Sequence, residues 1–177
     1  MAKPTDSPPE PIHPAAIDPE ALLDQCEATT LRRSGPGGQN RNKVETAVVL
    51  KHRPTGLAAE ANERRSQSEN KQAALFRLRI NLALAIRTPL QKPIEPGPLW
   101  RSRLRGGRIV VSPEHDDFPA LLAEALDVLE VTGNDVKAAS GILGVSATQL
   151  TRFLKEEPRA FAKLNAHRVA AGLRPLL

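Results

Sequence analysis

Residues 35–39 read Gly-Pro-Gly-Gly-Gln, with Arg32 and Arg33 on one side and Arg41 and Lys43 on the other. Two adjacent glycines before a glutamine let the backbone approach another molecule closely, because neither carries a Cβ and both tolerate positive φ. The four flanking cations point to a polyanion as that molecule; the plainer alternative is a hairpin turn with a solvated basic rim. Glutamine is neutral, with one acceptor oxygen and two N–H donors, so it cannot serve as a general base near pH 7. Gln39 would act by position. Its backbone N–H can donate to a developing oxyanion, and its side chain can orient or admit water. Preorganised donors of this kind are typically worth ~3–4 kcal/mol each, and holding water in line adds an entropic gain. A Cβ at Gly37 or Gly38 would forbid the bend or clash with the substrate.

No other catalytic constellation is visible. His13, His52, His115 and His167 are scattered without metal-ligand spacing, so they read as solvated or structural, and neither a metal nor a cofactor is expected. Ser34 has no histidine or acid near it in sequence, and no Walker-type phosphate loop occurs. The single cysteine, Cys26, excludes an internal disulfide and a Cys-based zinc site, which fits a reducing cytoplasm. No apolar run approaches the ~20 residues of a membrane span. The N-terminus is acidic and proline-rich, unlike a secretory signal or an Arg-rich transit peptide.

Charge is unevenly placed along the 177 residues. Residues 1–30 hold one Lys/Arg against six Asp/Glu, residues 31–112 seventeen against five, and residues 113–177 seven against nine. The mild overall charge of +5 hides a strongly basic middle, which is the footprint of a nucleic-acid surface. With five aromatic residues and no Tyr, aliphatic helix packing must supply most of the core.

The elements that would hold the Gly-Gly-Gln segment follow from local signals. Residues 1–19 carry six prolines among polar residues and read as disordered. Asp18-Pro19-Glu20 reads as an N-cap with proline at the first helical position, opening a short helix through Leu23. Glu27 to Arg33 predicts a strand into the segment, Ala47 to His52 a second strand, Pro54-Thr55-Gly56 a turn, and Leu57 to Ala61 the returning strand. Ser68 to Arg87 predicts a long helix, with Leu75, Leu78, Leu82 and Ile86 on one face. That helix would cover one face of a short sheet, giving an α+β domain over residues 20–88.

Thirteen residues after Gln39 comes His52-Arg53-Pro54-Thr55-Gly56, and then Arg65-Ser66-Gln67-Ser68-Glu69-Asn70-Lys71. In that order and spacing, from about Cys26 to Arg87, the chain resembles the GGQ domain of class I peptide chain release factors and of the related codon-independent ribosome-rescue hydrolases. It departs from the common family pattern at Asn40-Arg41-Asn42, where His-Val-Asn is usual; this is a subfamily mark. The resemblance implies a loop that enters the peptidyl transferase centre and promotes hydrolysis of the ester joining peptide to tRNA. Gln39 would be the catalytic residue, with Gly37 and Gly38 giving it its geometry. Ribosomal RNA and the terminal ribose would supply the rest of the machinery. The resemblance also implies the ribosome as partner, through large-subunit rRNA and peptidyl-tRNA, and a glutamine methyltransferase that would N-methylate Gln39. Arg65, Gln67, Asn70 and Lys71 would brace the loop and touch rRNA; the alternative is a polar first helical turn that caps itself. Fewer than thirty residues precede the domain, so codon reading by this chain alone is not expected.

Residues 89–112 read as a linker. Pro89, Pro93, Pro96 and Pro98 favour a stiff, extended chain. The run Trp100-Arg101-Ser102-Arg103-Leu104-Arg105 would then line one side of an extended segment with arginines. Trp100 with Arg101, Arg103 and Arg105 suits RNA; equally, this is a basic linker whose Trp100 packs on a neighbouring domain. Residues 113–177 read as a helical bundle: Phe118 to Val131, a helix capped by Asn134 or Asp135 through Leu143, a turn at Gly144-Val145, a third helix opened by the Ser146-Ala147-Thr148-Gln149 capping box, and a fourth from about Arg159 to Ala171. Residues 139–150 look like a helix-turn-helix of the kind seen in bacterial DNA-binding proteins, with Arg152 and Lys155 on the second helix beside Glu156 and Glu157. Two function classes result: a release-factor-like peptidyl-tRNA hydrolase, or a non-catalytic RNA- or DNA-binding protein using the basic middle and this motif. The Pro-rich connection predicts that the bundle folds independently, so that truncation after Pro113 would leave a soluble GGQ domain.

Overall fold

The computed structural model describes residues 11–32 and 46–177, which form an α+β structure with a small antiparallel sheet and seven α-helices among the described residues. Helix α1 (Pro19–Asp24) starts as its sequence predicts: Pro19 opens the first turn, and the Asp18 carboxylate accepts from the Glu20 and Ala21 amides at 3.0 and 3.3 Å. Strands β1 (Cys26–Leu31), β2 (Ala47–His52) and β3 (Ala58–Ala61) pair antiparallel in that order, with Cys26 opposite His52, Leu31 opposite Ala47 and Val48 opposite Ala61. The turn between β2 and β3 closes when the Gly56 amide donates to the His52 carbonyl at 2.8 Å. Gly56 sits at φ 72°, which is why a glycine ends the Pro-Thr-Gly run.

Helix α2 (Gln67–Ala85) covers the sheet face that carries Val48, Leu50 and His52, all buried, while Lys51 points outward. It begins one residue earlier than its sequence predicts, because Ser66 caps it from the Glu69 amide. It also ends two residues earlier. The chain turns extended at Ile86, and the Arg87 guanidinium takes the terminal carbonyls of Ala83, Leu84 and Ile86.

The expectation of a disordered N-terminal segment fails for residues 11–19. Pro14–Ala16 form a 3-10 turn, and Ala15 is fully buried between α2 and helix α4 (Phe118–Val131). His13 Nδ1 accepts from the Ala15 amide at 3.0 Å, so its other nitrogen donates to the Ile86 carbonyl at 3.3 Å. Burial lowers the His13 pKa, in keeping with this neutral tautomer. Buried Arg79 donates to the carbonyls of Ala15 at 3.1 Å and Asp116 at 2.8 Å. Low hydropathy made this stretch read as unfolded; an arginine on α2 and a groove for one alanine order it.

The linker also differs from expectation. Residues 98–103 form helix α3 (Pro98–Arg103), followed by the two-residue strands β4 (Leu104–Arg105) and β5 (Arg108–Ile109), joined through Gly106 and Gly107, both at positive φ. Trp100 is completely buried. Its Nε1 donates to the Leu143 carbonyl at 2.8 Å, and its ring meets Phe153 edge-on at 5.6 Å, with Phe118 beyond at 5.3 Å from Phe153. Two carboxylates of α4 hold the Pro-rich stretch by its backbone. Asp127 accepts from the Thr88 amide at 3.1 Å and Glu124 from the Gly97 amide at 2.6 Å. Burial pushes Asp127 up to about 6 and raises Glu124 as well, partly opposed by these hydrogen bonds.

Helices α5 (Val136–Leu143), α6 (Ala147–Lys155) and α7 (Pro158–Ala170) complete the bundle. Asp135, not Asn134, caps α5; Gly144 closes it at φ 67°; Ser146 caps α6 through the Gln149 amide. The bundle is not a separate unit. Leu78 and Leu82 of α2, Leu50 of β2, Trp100, Leu122 and Leu129 of α4 and Leu154 of α6 belong to one continuous core. Helix α7 reinforces this contact: Arg159 donates to the Asn81 side chain and Lys163 to the Leu84 carbonyl, each at 2.9 Å.

Candidate functional site

Gly37, Gly38 and Gln39, with Arg33, Arg41 and Lys43, lie outside the described residues. What the structure describes is their mounting. Because Leu31 pairs with Ala47, the two ends of the Gly-Gly-Gln segment leave the sheet side by side. The returning end is fixed by Asn70, whose side chain is fully buried. Its Nδ2 donates to the Thr46 carbonyl at 2.7 Å and the Arg64 carbonyl at 2.9 Å, and its Oδ1 accepts from the Arg64 amide at 2.9 Å. Both amide protons are thus spent on the backbone. Asn70 ties the residue before β2 to the loop before α2.

The Arg65-to-Lys71 block therefore divides. Asn70 turns inward as a brace, while Arg65, Gln67 and Lys71 are exposed around the same end of α2, as is Arg32 at the end of β1. Truncating Asn70 to Ala should destabilise the fold by about 2–4 kcal/mol, since one change removes three hydrogen bonds at a buried position. A lower urea midpoint with an unchanged slope is the expected reading.

The far end of the sheet is locked by groups that the sequence marked as a motif but to which it gave no role. His52 Nδ1 meets Thr55 Oγ1 at 2.8 Å and its Nε2 meets Gln25 Oε1 at 3.1 Å. Arg53 donates to the carbonyls of Cys26 and Asp24. Burial, and then the Arg53 charge, lower the His52 pKa. The His-Arg-Pro-Thr-Gly run is scaffolding that fastens the hairpin to α1. The signal for it was a histidine at an inward position, on the face that also carries Val48 and Leu50.

The three arginines expected to face RNA do not form a stripe. Arg101 and Arg103 lie on α3, where residues two apart point in different directions. Arg103 is paired with Asp117 and contacts His115; Arg105 folds back on the Ser102 and Leu104 carbonyls at 2.9 and 2.7 Å; Arg101 lies 3.8 Å from Glu95. Trp100 is inside the protein and has no face left to stack on a base. Among the described residues no His, Cys, Asp or Glu cluster could hold a metal, and no helix is long and apolar enough to cross a membrane.

A three-stranded antiparallel sheet under one long helix, with the Gly-Gly-Gln segment between β1 and β2 in sequence, fits the fold of a GGQ domain. Residues 16–95 match the RF-1 domain family, so this part of the chain is release-factor-like. It is 46% identical over 67 residues to the chloroplastic peptide chain release factor PrfB1 of Arabidopsis thaliana, a match covering 38% of this chain and 15% of that protein. It is 42% identical over 66 residues to peptide chain release factor 1 of Chlorobaculum tepidum and to peptide chain release factor 2 of Thermotoga maritima, covering 37% of this chain and 18% of each relative. The match spans less than a quarter of the length of these curated relatives, and the bundle from α4 onward lies outside the matched domain.

Proposed function

We propose that this protein acts on the ribosome as a peptidyl-tRNA hydrolase and releases the peptide without a codon requirement, in ribosome rescue. Gln39 acts at the ester, Gly37 and Gly38 allow its approach, and large-subunit rRNA and the tRNA ribose complete the site. Arg32, Arg33, Arg41, Lys43, Arg65, Gln67 and Lys71 contact RNA around the segment. Gln39 is also the atom-bearing target for a glutamine methyltransferase, and the cytoplasm is the place of action. The observation that carries this reading is the braced mounting: the paired ends of β1 and β2, with Asn70 holding Thr46, present a Gly-Gly-Gln segment from a rigid base. A rigid base lets a neutral glutamine act by position.

The test is release of labelled peptide from ribosomes stalled with and without a stop codon in the decoding site. Comparable release from both is expected. Release only with a stop codon would overturn the rescue assignment, and release from neither would overturn the activity.

A further inference from the structure

The C-terminal bundle lies outside the matched family, and it carries a basic groove that the Gly-Gly-Gln chemistry does not use. The groove, of about 800 Å³, runs along α6. Lys137 comes from the start of α5, Thr148, Arg152 and Lys155 from α6, and Arg168 from α7. The one carboxylate side chain lining it, Asp135, is committed to the Lys137 and Ala138 amides as the cap of α5. Among the described residues, neither Lys137 nor Arg152 has an ion-pair partner. Lys155 is steadied by the Phe161 ring, 5.2 Å from its centroid. The acidic neighbours that weakened the sequence reading of this motif face elsewhere. Glu157 caps α7 and pairs with Arg159 at 2.8 Å, and Glu156 is not part of the lining.

The shape of the groove selects the partner. A helix-turn-helix that reads duplex DNA must project its second helix into a major groove about 12 Å wide. Here α6 lies along a groove that the C-terminal Leu176 and Leu177 wall on one side. That wall is held in place: Asn165 accepts from the Leu176 amide at 2.8 Å and donates to its carbonyl at 3.1 Å. A walled, cationic groove with hydroxyl donors and no exposed aromatic suits a convex phosphate backbone, not base edges. We infer that the α5–α6–α7 groove binds the phosphodiester backbone of RNA, giving the protein a second contact with ribosomal RNA at a fixed distance from the β1–β2 sheet. The distance is fixed because Trp100 bonds the end of α5 and α2 packs directly on α4. The ribosomal identity of that RNA rests on the function proposed above; the RNA-backbone chemistry does not.

The test uses the full chain with Lys137→Gln, Arg152→Gln and Lys155→Gln combined. Binding to a labelled RNA hairpin, to a DNA duplex of matched length and to vacant ribosomes is followed by anisotropy or pelleting across a salt series. The triple variant should bind hairpin and ribosome roughly tenfold more weakly at low salt, with a log–log salt slope smaller by about three. The charge-keeping set Lys137→Arg, Arg152→Lys and Lys155→Arg should restore both. The single Arg152→Gln variant should lower the slope by about one, so the inference stays exposed if the triple variant folds poorly. Unchanged affinity and slope would overturn it, and so would tighter binding of the DNA duplex than of the RNA hairpin. The Gln39→Ala protein should bind both RNA probes normally, so failure of the groove and failure of the hydrolase reading give different results.

Discussion

Gln39→Ala is expected to slow single-turnover peptide release by about 10²–10³-fold, the usual consequence of losing one preorganised polar group at a developing charge. Ribosome affinity should stay within about twofold, because the change removes no charge and phosphate contacts dominate binding to RNA. Gly37→Ala should behave similarly for a different reason: it leaves the glutamine in place but puts a Cβ where the backbone must bend or approach the substrate. The pair separates chemistry from geometry. If Gln39→Ala releases peptide at the unsubstituted rate, Gln39 is not the catalytic group; if Gly37→Ala does, the backbone at Gly37 needs neither the bend nor the close approach.

Trp100→Ala should cost about 3–5 kcal/mol from lost packing alone, and more from the unpaired Leu143 carbonyl. Typical domains hold about 5–15 kcal/mol in total, so a large share of the fold's stability is at stake. Trp100 is completely buried, donates to the end of α5 and meets Phe153, so its loss loosens α3, α5 and α6 together. Trp100→Phe, which keeps a ring but no donor, should fall between. A chemical-denaturation midpoint for each variant checks the order. The same packing reverses the sequence-based expectation about truncation. Cutting the chain after Pro113 would remove α4, which packs directly on α2 in one continuous core, so an aggregating product is expected in place of a soluble GGQ domain.

What the sequence made legible was local. The Asp18-Pro19 start, β2, the Pro-Thr-Gly turn, α2 and the four bundle helices all depend on caps, periodicity and turn residues within a few positions of one another. The readings that failed depend on partners far along the chain. Trp100 meets a carbonyl 43 residues away, and Arg79 meets Ala15 across 64. Composition left Trp100 equally open to stacking on RNA and to packing on a neighbouring domain, and no local pattern decides that it is a core residue. The Asn70 brace was half legible. Its place beside the Gly-Gly-Gln segment followed from the motif, but its burial and its hold on Thr46 required the register of β1 on β2. The basic groove was obscured because Lys137, Arg152 and Arg168 are scattered among acids in the sequence and converge only when α5, α6 and α7 pack.

The two carboxylates of α4 have a consequence for the prolines they hold. Proline lacks an amide hydrogen, so it cannot occupy position 88 or 97 without breaking the bond to Asp127 or Glu124. It instead follows each of them, as Pro89 and Pro98. A residue before proline is biased toward extended backbone, and Gly97 is extended at φ −62°, ψ 163°. At Gly97 even a methyl group would crowd Glu124, at 3.2 Å. Each fastening is thus a two-residue word, an amide donor and then a ring that stiffens it, read by one carboxylate on a neighbouring helix. The residues between the two words, 90–96, need only span the gap and keep Leu90 and Ile94 on the core, whereas moving either proline back by one position would erase the donor it now supports.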